Sequence, residues 1–136
     1  MGFRRFSTAV VFAATVGLLT GCSGVIDPSK NTVVPFSGTL GVGGGVIFNY
    51  SWDKNGEIEV TMTSVTPTPT NGPIAMYIGQ MDGSGNCFQL AGYSSPAIVN
   101  RKVQFGVLNK GNYCLGVYDP GVLTVPVNFA GTFSHP

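Results

Sequence analysis

The sequence predicts an all-β protein, an antiparallel β-sandwich of about seven or eight strands. Beyond residue 32, apolar side chains recur at every second position, which is the period of a strand with one buried face. Turn-forming residues interrupt this pattern about every 8 to 12 positions, and the chain carries 20 Gly and 9 Pro. Short strands at such spacing are typical of sandwiches and barrels.

The first three strands are predicted at 33–40, 46–52 and 57–65. In the second, Phe48, Tyr50 and Trp52 share one face, and in the third apolar and polar residues alternate regularly. The glycine-rich segment 41–45 joins the first two strands. Since the Asn55–Gly56 pair accepts positive φ readily, the second and third strands are predicted to form a hairpin.

Beyond residue 66, prolines and glycines separate the predicted strands. Three prolines in 67–73 exclude a central strand there, and the apolar run 74–81 predicts a strand buried on both faces. Four further strands are predicted. One begins at Cys87, two run through 103–107 and 113–118, and the last lies near the C-terminal end of the sequence. The last strand is predicted to bury one face formed by Val125, Val127, Phe129 and Phe133.

The N-terminus has the features of a secretory leader. Arg4 and Arg5 precede an apolar stretch of about 13 residues, which is too short to span a bilayer. The following 19–22 segment, Leu-Thr-Gly-Cys, resembles the lipobox of bacterial lipoproteins. The resemblance implies a signal peptide at 1–21, acylation of Cys22 with diacylglyceryl and palmitate-type chains, a lipidated linker at 22–32 and a β-sandwich domain at 33–136. Ser23 after the cysteine implies sorting to the outer membrane of a Gram-negative envelope.

The other two cysteines are predicted to form a disulfide. With Cys22 lipidated, Cys87 and Cys114 remain as an even pair in a chain exported to an oxidising compartment. A catalytic or metal-binding cysteine is the alternative. It has little support, because neither cysteine lies in a CxxC pair and the single histidine, His135, is predicted to be solvated in a mobile tail. No metal and no cofactor are predicted.

Several strand motifs resemble the pre-peptidase C-terminal domain, a sandwich appended to many secreted bacterial proteases. The motifs are 36–40 (Phe-Ser-Gly-Thr-Leu), Tyr50, 56–62 (Gly-Glu-Ile-Glu-Val-Thr-Met) and 111–118 (Gly-Asn-Tyr-Cys-Leu-Gly-Val-Tyr), in that order. The resemblance spans about residues 35–133. It implies a jelly-roll-like sandwich with an accessory role such as substrate binding, solubility or secretion. No peptidase is expected in front of the domain, so an accessory role to a catalytic neighbour on the same chain is not expected, and no full acidic cluster matches the calcium ligands of some relatives.

Charge and residue types favour binding over catalysis. The formal net charge of +1 falls to about −1 without the two leader arginines, so nothing indicates a nucleic-acid surface. Tyr93 and Tyr118 are predicted as possible contacts for a ligand. Glu57 and Glu59 are the nearest candidates for a paired-carboxylate hydrolase, but a solvated strand face explains them better. The loops at 53–57 and 82–86 carry oxygen ligands that calcium accepts, and both are first of all turns.

These observations predict a non-enzymatic, membrane-anchored lipoprotein of the bacterial envelope that acts by binding. The expected ligand is a polysaccharide or a peptide, and the bilayer is contacted through acylated Cys22. One alternative is a structural or assembly partner in an envelope protein complex, which would expose an apolar patch or an open strand edge. The other alternative is an envelope hydrolase.

Overall fold

The computed structural model describes residues 27–136, and these form eight strands in two four-stranded antiparallel sheets. The predicted all-β sandwich is confirmed. A short 3-10 turn at Pro28–Lys30 precedes the strands, which are β1 (Thr32–Leu40), β2 (Gly45–Trp52), β3 (Gly56–Thr66), β4 (Ala75–Met81), β5 (Cys87–Pro96), β6 (Lys102–Leu108), β7 (Gly111–Tyr118) and β8 (Val127–His135). The predictions for the leader and for Cys22 concern residues outside the described part of the chain.

The strand order is that of a jelly roll. One sheet has the order β1-β8-β3-β6 and the other β2-β7-β4-β5, and every adjacent pair is antiparallel. Most connections therefore pass from one sheet to the other, which is the double Greek-key arrangement. Only β4 and β5 are consecutive in the chain and also paired.

The predicted hairpin between β2 and β3 is wrong. The two strands lie in opposite sheets, where β2 pairs with β7 and β3 pairs with β6 and β8. The turn at 53–55 thus carries the chain across the sandwich. A hairpin within one sheet and a crossing between sheets both bury one face of each strand. The alternation of apolar residues is therefore consistent with either arrangement.

The core lies between the inner faces of the two sheets. From β3, the predicted apolar face of Ile58, Val60 and Met62 is fully buried, and it meets the opposite sheet through residues such as Ile78 and Leu115. Trp52 and Tyr113 are buried and stack with ring centroids 4.4 Å apart. Val125 departs from its prediction, because it lies exposed in the loop before β8, next to Pro126.

Alternating strand directions give the sandwich two distinct ends. We call the end formed by the connections 41–44, 67–74, 97–101 and 119–126 the loop end. The opposite end, with the connections 53–55, 82–86 and 109–110, also contains the start of β1 and the end of β8, which pair there through Thr32 and His135. We call it the terminal end. Within residues 27–136, no helix is long and apolar enough to cross a membrane.

Candidate functional site

The loop end contains an apolar cleft of about 500 Å³ between the β3–β4 and β5–β6 connections. Its floor is formed by three buried side chains, Val65, Ile74 and Ala97. Ile98 and Val99 stand at its rim, each 42% exposed. The rest of the lining comes from Thr68, Pro69, Thr70, Gly72 and Pro73. Large apolar side chains left exposed beside a cavity are typical of a binding surface.

Backbone hydrogen bonds anchor one wall of the cleft. The N–H of Ala97 donates to the carbonyl of Ile74 (2.8 Å), and the N–H of Asn100 donates to the carbonyl of Met62 (2.7 Å). These two bonds fix the β5–β6 connection on β3 and on the start of β4. Proline residues restrict φ in the facing β3–β4 connection, which lowers the conformational entropy that this wall would lose on binding.

The cleft offers apolar contact and few polar groups. None of the described residues that line it is charged or aromatic, and only Thr68 and Thr70 carry a side-chain group that can form hydrogen bonds. Aliphatic walls with a hydroxyl rim suit an apolar side chain carried on a polar backbone. The sequence marked this segment only as a break between strands, and no local motif signals the cleft.

A second, smaller cavity of about 180 Å³ lies on the other side of segment 67–70, against the β7–β8 connection. Beside it Asp119, which is only 9% exposed, organises the loop end. One carboxylate oxygen accepts the N–H of Gly43 (2.8 Å), and the other accepts N–H groups of Gly121, Val122 and Leu123 (2.7 to 3.1 Å). This carboxylate therefore ties the β1–β2 connection to the β7–β8 connection.

These hydrogen bonds lower the pKa of Asp119 below its ordinary value of 3.8, with the bond from Gly43 as the largest cause. A carboxyl group whose pKa is depressed on folding stabilises the folded state above its unfolded pKa, and this stabilisation is lost as the pH falls through the folded value. We therefore expect Asp119→Asn to lower the melting temperature clearly at pH 7. The difference from the parent protein should shrink steadily below about pH 4.

Thermal unfolding followed by circular dichroism from pH 7 down to pH 2 measures this difference. Asp53→Asn is the matched control, because it removes the same charge from an exposed turn. A melting temperature that differs equally at pH 7 and pH 2, or no difference at pH 7, would contradict the assigned role of Asp119.

The two tyrosines predicted as ligand contacts lie apart from each other and outside the cleft. Tyr93 is half-buried on β5, packs against the core and stacks on Phe105 with centroids 6.4 Å apart. Tyr118 is half-buried at the end of β7, and its ring lies 5.8 Å from that of Tyr77. The structure thus brings each tyrosine to another aromatic ring of the same domain.

The predicted disulfide between Cys87 and Cys114 is confirmed. It joins β5 to β7 across the intervening strand β4, with the two Cα atoms 6.0 Å apart. The bridge passes over Gly79, where a Cβ would lie 2.7 Å from the Cys87 sulfur and 2.8 Å from the Cys114 sulfur. Only glycine leaves room for both sulfurs at this position of β4.

Glu57 and Glu59 line a polar groove of about 420 Å³ on the outer face of the β1-β8-β3-β6 sheet. The sequence predicted a solvated strand face without a cleft, so the groove is a feature that the sequence did not reveal. Glu59 forms an ion pair with Lys102, with 2.9 Å between Oε1 of Glu59 and Nζ of Lys102. Asn31 closes one side by donating from Nδ2 to the carbonyl of Glu57 (2.8 Å) and to the hydroxyl of Ser134 (3.2 Å).

The prediction that His135 lies in a mobile, solvated tail is wrong. His135 is the last residue of β8 and is half-buried. Its ring lies 5.5 Å from Trp52 and 5.6 Å from Phe133 between centroids, at the edge of the aromatic part of the core. The sequence pattern of β8 continues to this position, and packing against Trp52 provides the reason.

The two loops that could offer oxygen ligands to calcium are turns in which a side chain already accepts backbone hydrogen bonds. Asp82 accepts the N–H groups of Ser84 and Asn86, each at 2.8 Å, and the Nδ2 of Asn86 at 2.9 Å. These bonds, led by that of the Asn86 side chain, lower the pKa of Asp82. Asn55 accepts the N–H of Lys110 (2.8 Å). Across residues 27–136, no three His, Cys, Asp or Glu side chains are grouped to hold a metal ion.

No protein-family model and no curated protein matches the chain. A similar solved structure is the crystal structure of the Yersinia pseudotuberculosis-derived mitogen (YPM), with a TM-score of 0.56 and 11% sequence identity. The alignment covers 78% of this chain and 87% of that chain. The resemblances to bacterial lipoproteins and to the pre-peptidase C-terminal domain stay predictions from motifs. At this identity, the likeness to the mitogen concerns the fold alone: the two proteins are similar as β-sandwiches.

Proposed function

We propose that this protein is a non-catalytic lipoprotein of the bacterial envelope that binds apolar peptide segments in its loop-end cleft. Acylated Cys22 would hold it to the membrane, in the outer membrane if its host has one. The observation that carries the proposal is the cleft of about 500 Å³, with two exposed aliphatic side chains at its rim. No cofactor takes part.

The lining of the cleft favours a peptide over a polysaccharide. Proteins that bind sugars commonly use exposed aromatic rings as platforms, and the cleft lining contains aliphatic residues, prolines and two threonines instead. A peptide can place an apolar side chain on Ile74 and Ala97 while its backbone meets the hydroxyls of Thr68 and Thr70. The half-buried Tyr118 beside Tyr77 is the remaining candidate for a sugar contact.

We expect Ile98→Asp or Val99→Asp to weaken peptide binding at least about tenfold. Each side chain is 42% exposed, so covering the remainder contributes only part of the roughly 1.5–3 kcal/mol of full burial, and the aspartate adds the cost of removing a carboxylate from water. About 1.4 kcal/mol corresponds to a factor of ten in affinity. An array of immobilised apolar peptides, followed by titration of the strongest binder, measures the effect. Both positions are exposed, so the domain should still fold.

Val107→Asp is the matched control, because Val107 is 52% exposed on β6 and lies outside the cleft. This variant should bind like the parent protein. A parent protein that binds no peptide, or equal binding by all three variants, would argue against the cleft as the site. Binding on a glycan array that is lost in Tyr118→Ala would instead favour a polysaccharide ligand.

The second candidate function is an assembly partner in an envelope complex. Further exposed aliphatic residues at the loop end, Val42 and Val125, enlarge the apolar surface beyond the cleft itself. A folded partner would cover all of it, whereas a peptide would touch only the cleft. Loss of a cross-linked partner in Val42→Asp together with unchanged peptide binding would favour assembly.

A further inference from the structure

The terminal end carries its own set of exposed apolar residues. Phe88 is 59% exposed at the start of β5, Val33 is exposed at the start of β1, and Val107 is exposed near the end of β6. All three lie within two residues of the terminal-end tip of their strands. They surround this end as a rim, away from the cleft.

This end is also internally fixed. The N–H of Lys110 donates to Oδ1 of Asn55, and Nε1 of Trp52 donates to the carbonyl of Asn109 (3.0 Å). These bonds join the β2–β3 and β6–β7 connections. The two connections are therefore held together at this end.

The length of chain before the first described residue limits how far this end can stand from an anchor. Cys22 and Asp27 are only five positions apart, and Asp27 precedes β1 at the terminal end. An extended chain spans at most about 3.3–3.6 Å per residue, so this segment reaches at most about 18 Å. A bilayer that holds acyl chains on Cys22 must lie within that distance.

We propose that the terminal end docks on the phospholipid bilayer, with Phe88 at the level of the headgroups. The proposal rests on the acylation of Cys22 proposed above. Lys54 and Lys110 are exposed in the connections of this end, and lysine stems can lie along apolar surface while their ammonium groups stay in water. The acidic residues Asp53 and Asp82 lie in the same connections, so the surface suits a zwitterionic membrane.

Docking in this orientation directs the peptide cleft away from the membrane. The nine residues of β1 run from the terminal end to the loop end. At about 3.3 Å per residue, the cleft lies roughly 30 Å above the lipid surface. The binding site then faces the aqueous space, where a peptide or an unfolded segment can reach it.

Amine footprinting on vesicles tests this orientation directly. The chain from Cys22 onward, which contains all described residues, is coupled through the Cys22 thiol to a maleimide lipid in phosphatidylcholine vesicles. The disulfide protects the other two cysteines. A membrane-impermeant amine reagent then labels the lysines, and mass spectrometry gives the rate at each. A Val99→Lys variant adds an amine at the loop end.

We expect labelling of Lys54 and Lys110 to slow several-fold on vesicles, with an unchanged rate at the lysine introduced at position 99. The reference is the same chain with Cys22 coupled to a soluble maleimide and mixed with the same vesicles. Phe88→Ser should reduce the protection at the terminal end. Unchanged rates at Lys54 and Lys110, or protection at position 99, would overturn the proposed orientation.

The design separates this proposal from the proposed function. Chemical coupling supplies the anchor, so the orientation is measured even if the native host does not acylate Cys22. Acylation itself is read from the mass of the N-terminal peptide of protein isolated from that host. Peptide binding is measured without vesicles and does not depend on either result.

Discussion

Replacing Phe133 with alanine is expected to lower the free energy of unfolding by about 3–5 kcal/mol. Phe133 is 1% exposed on the inner face of β8, and its ring lies 4.2 Å from that of Tyr50 and 6.1 Å from that of Trp52, between centroids. The deletion removes the buried ring and leaves a cavity between the sheets. Since β8 pairs with both β1 and β3, the neighbouring backbone has little freedom to fill it.

Urea unfolding followed by far-ultraviolet circular dichroism measures this change, and it avoids the fluorescence of Trp52, a neighbour of the deleted ring. Phe88→Ala removes the same group from an exposed position and should change stability by no more than about 0.5 kcal/mol. Similar losses in both variants would mean that Phe133 is not a central part of the core. Small domains are stabilised by only about 5–15 kcal/mol in total, so the expected loss is a large share.

Removing the disulfide is expected to lower stability by about 3.5 kcal/mol. The two cysteines are 27 positions apart, and the loss follows from the conformational entropy that an unbridged unfolded chain regains. The double variant Cys87→Ala/Cys114→Ala is compared with the parent protein by urea unfolding. The parent protein measured in reducing agent should approach the variant.

Gly79→Ala provides an independent test of how the bridge is placed. Its Cβ would approach both sulfurs and, at 2.7 Å, the backbone oxygen of Phe88, so the strand must shift. We expect a loss of about 1–3 kcal/mol, as for other overpacked sites. Gly83→Ala is the control, because nothing lies within 4 Å of a Cβ there. Equal stability of the two variants would contradict the close passage of the bridge over β4.

Most strands could be predicted from the sequence because each buries one face. The strand 57–65 was predicted within one residue at each end of β3, and its inward residues are the fully buried ones. The disulfide followed from the number of cysteines remaining after Cys22. These predictions depend on local spacing and on simple counting, and both are properties of the linear chain.

The candidate site could not be predicted in the same way. The cleft joins segment 67–74 to segment 97–99, about 25 positions apart, and each looks like an ordinary loop by itself. The groove at Glu57 and Glu59 likewise needs Lys102 and Asn31 beside them. The sequence of one loop does not indicate which other loop will lie opposite its apolar side chains.

The sequence by itself determined the fold class, the approximate strands and the disulfide, because period and composition specify which residues seek a buried face. Only the tertiary structure decided that β2 and β3 lie in opposite sheets, that His135 packs on Trp52, and that two loops enclose a cleft. The physical reason is that burial of a strand face can be satisfied by several partners. The choice among them comes from the packing of the whole sandwich, which joins residues far apart in the chain.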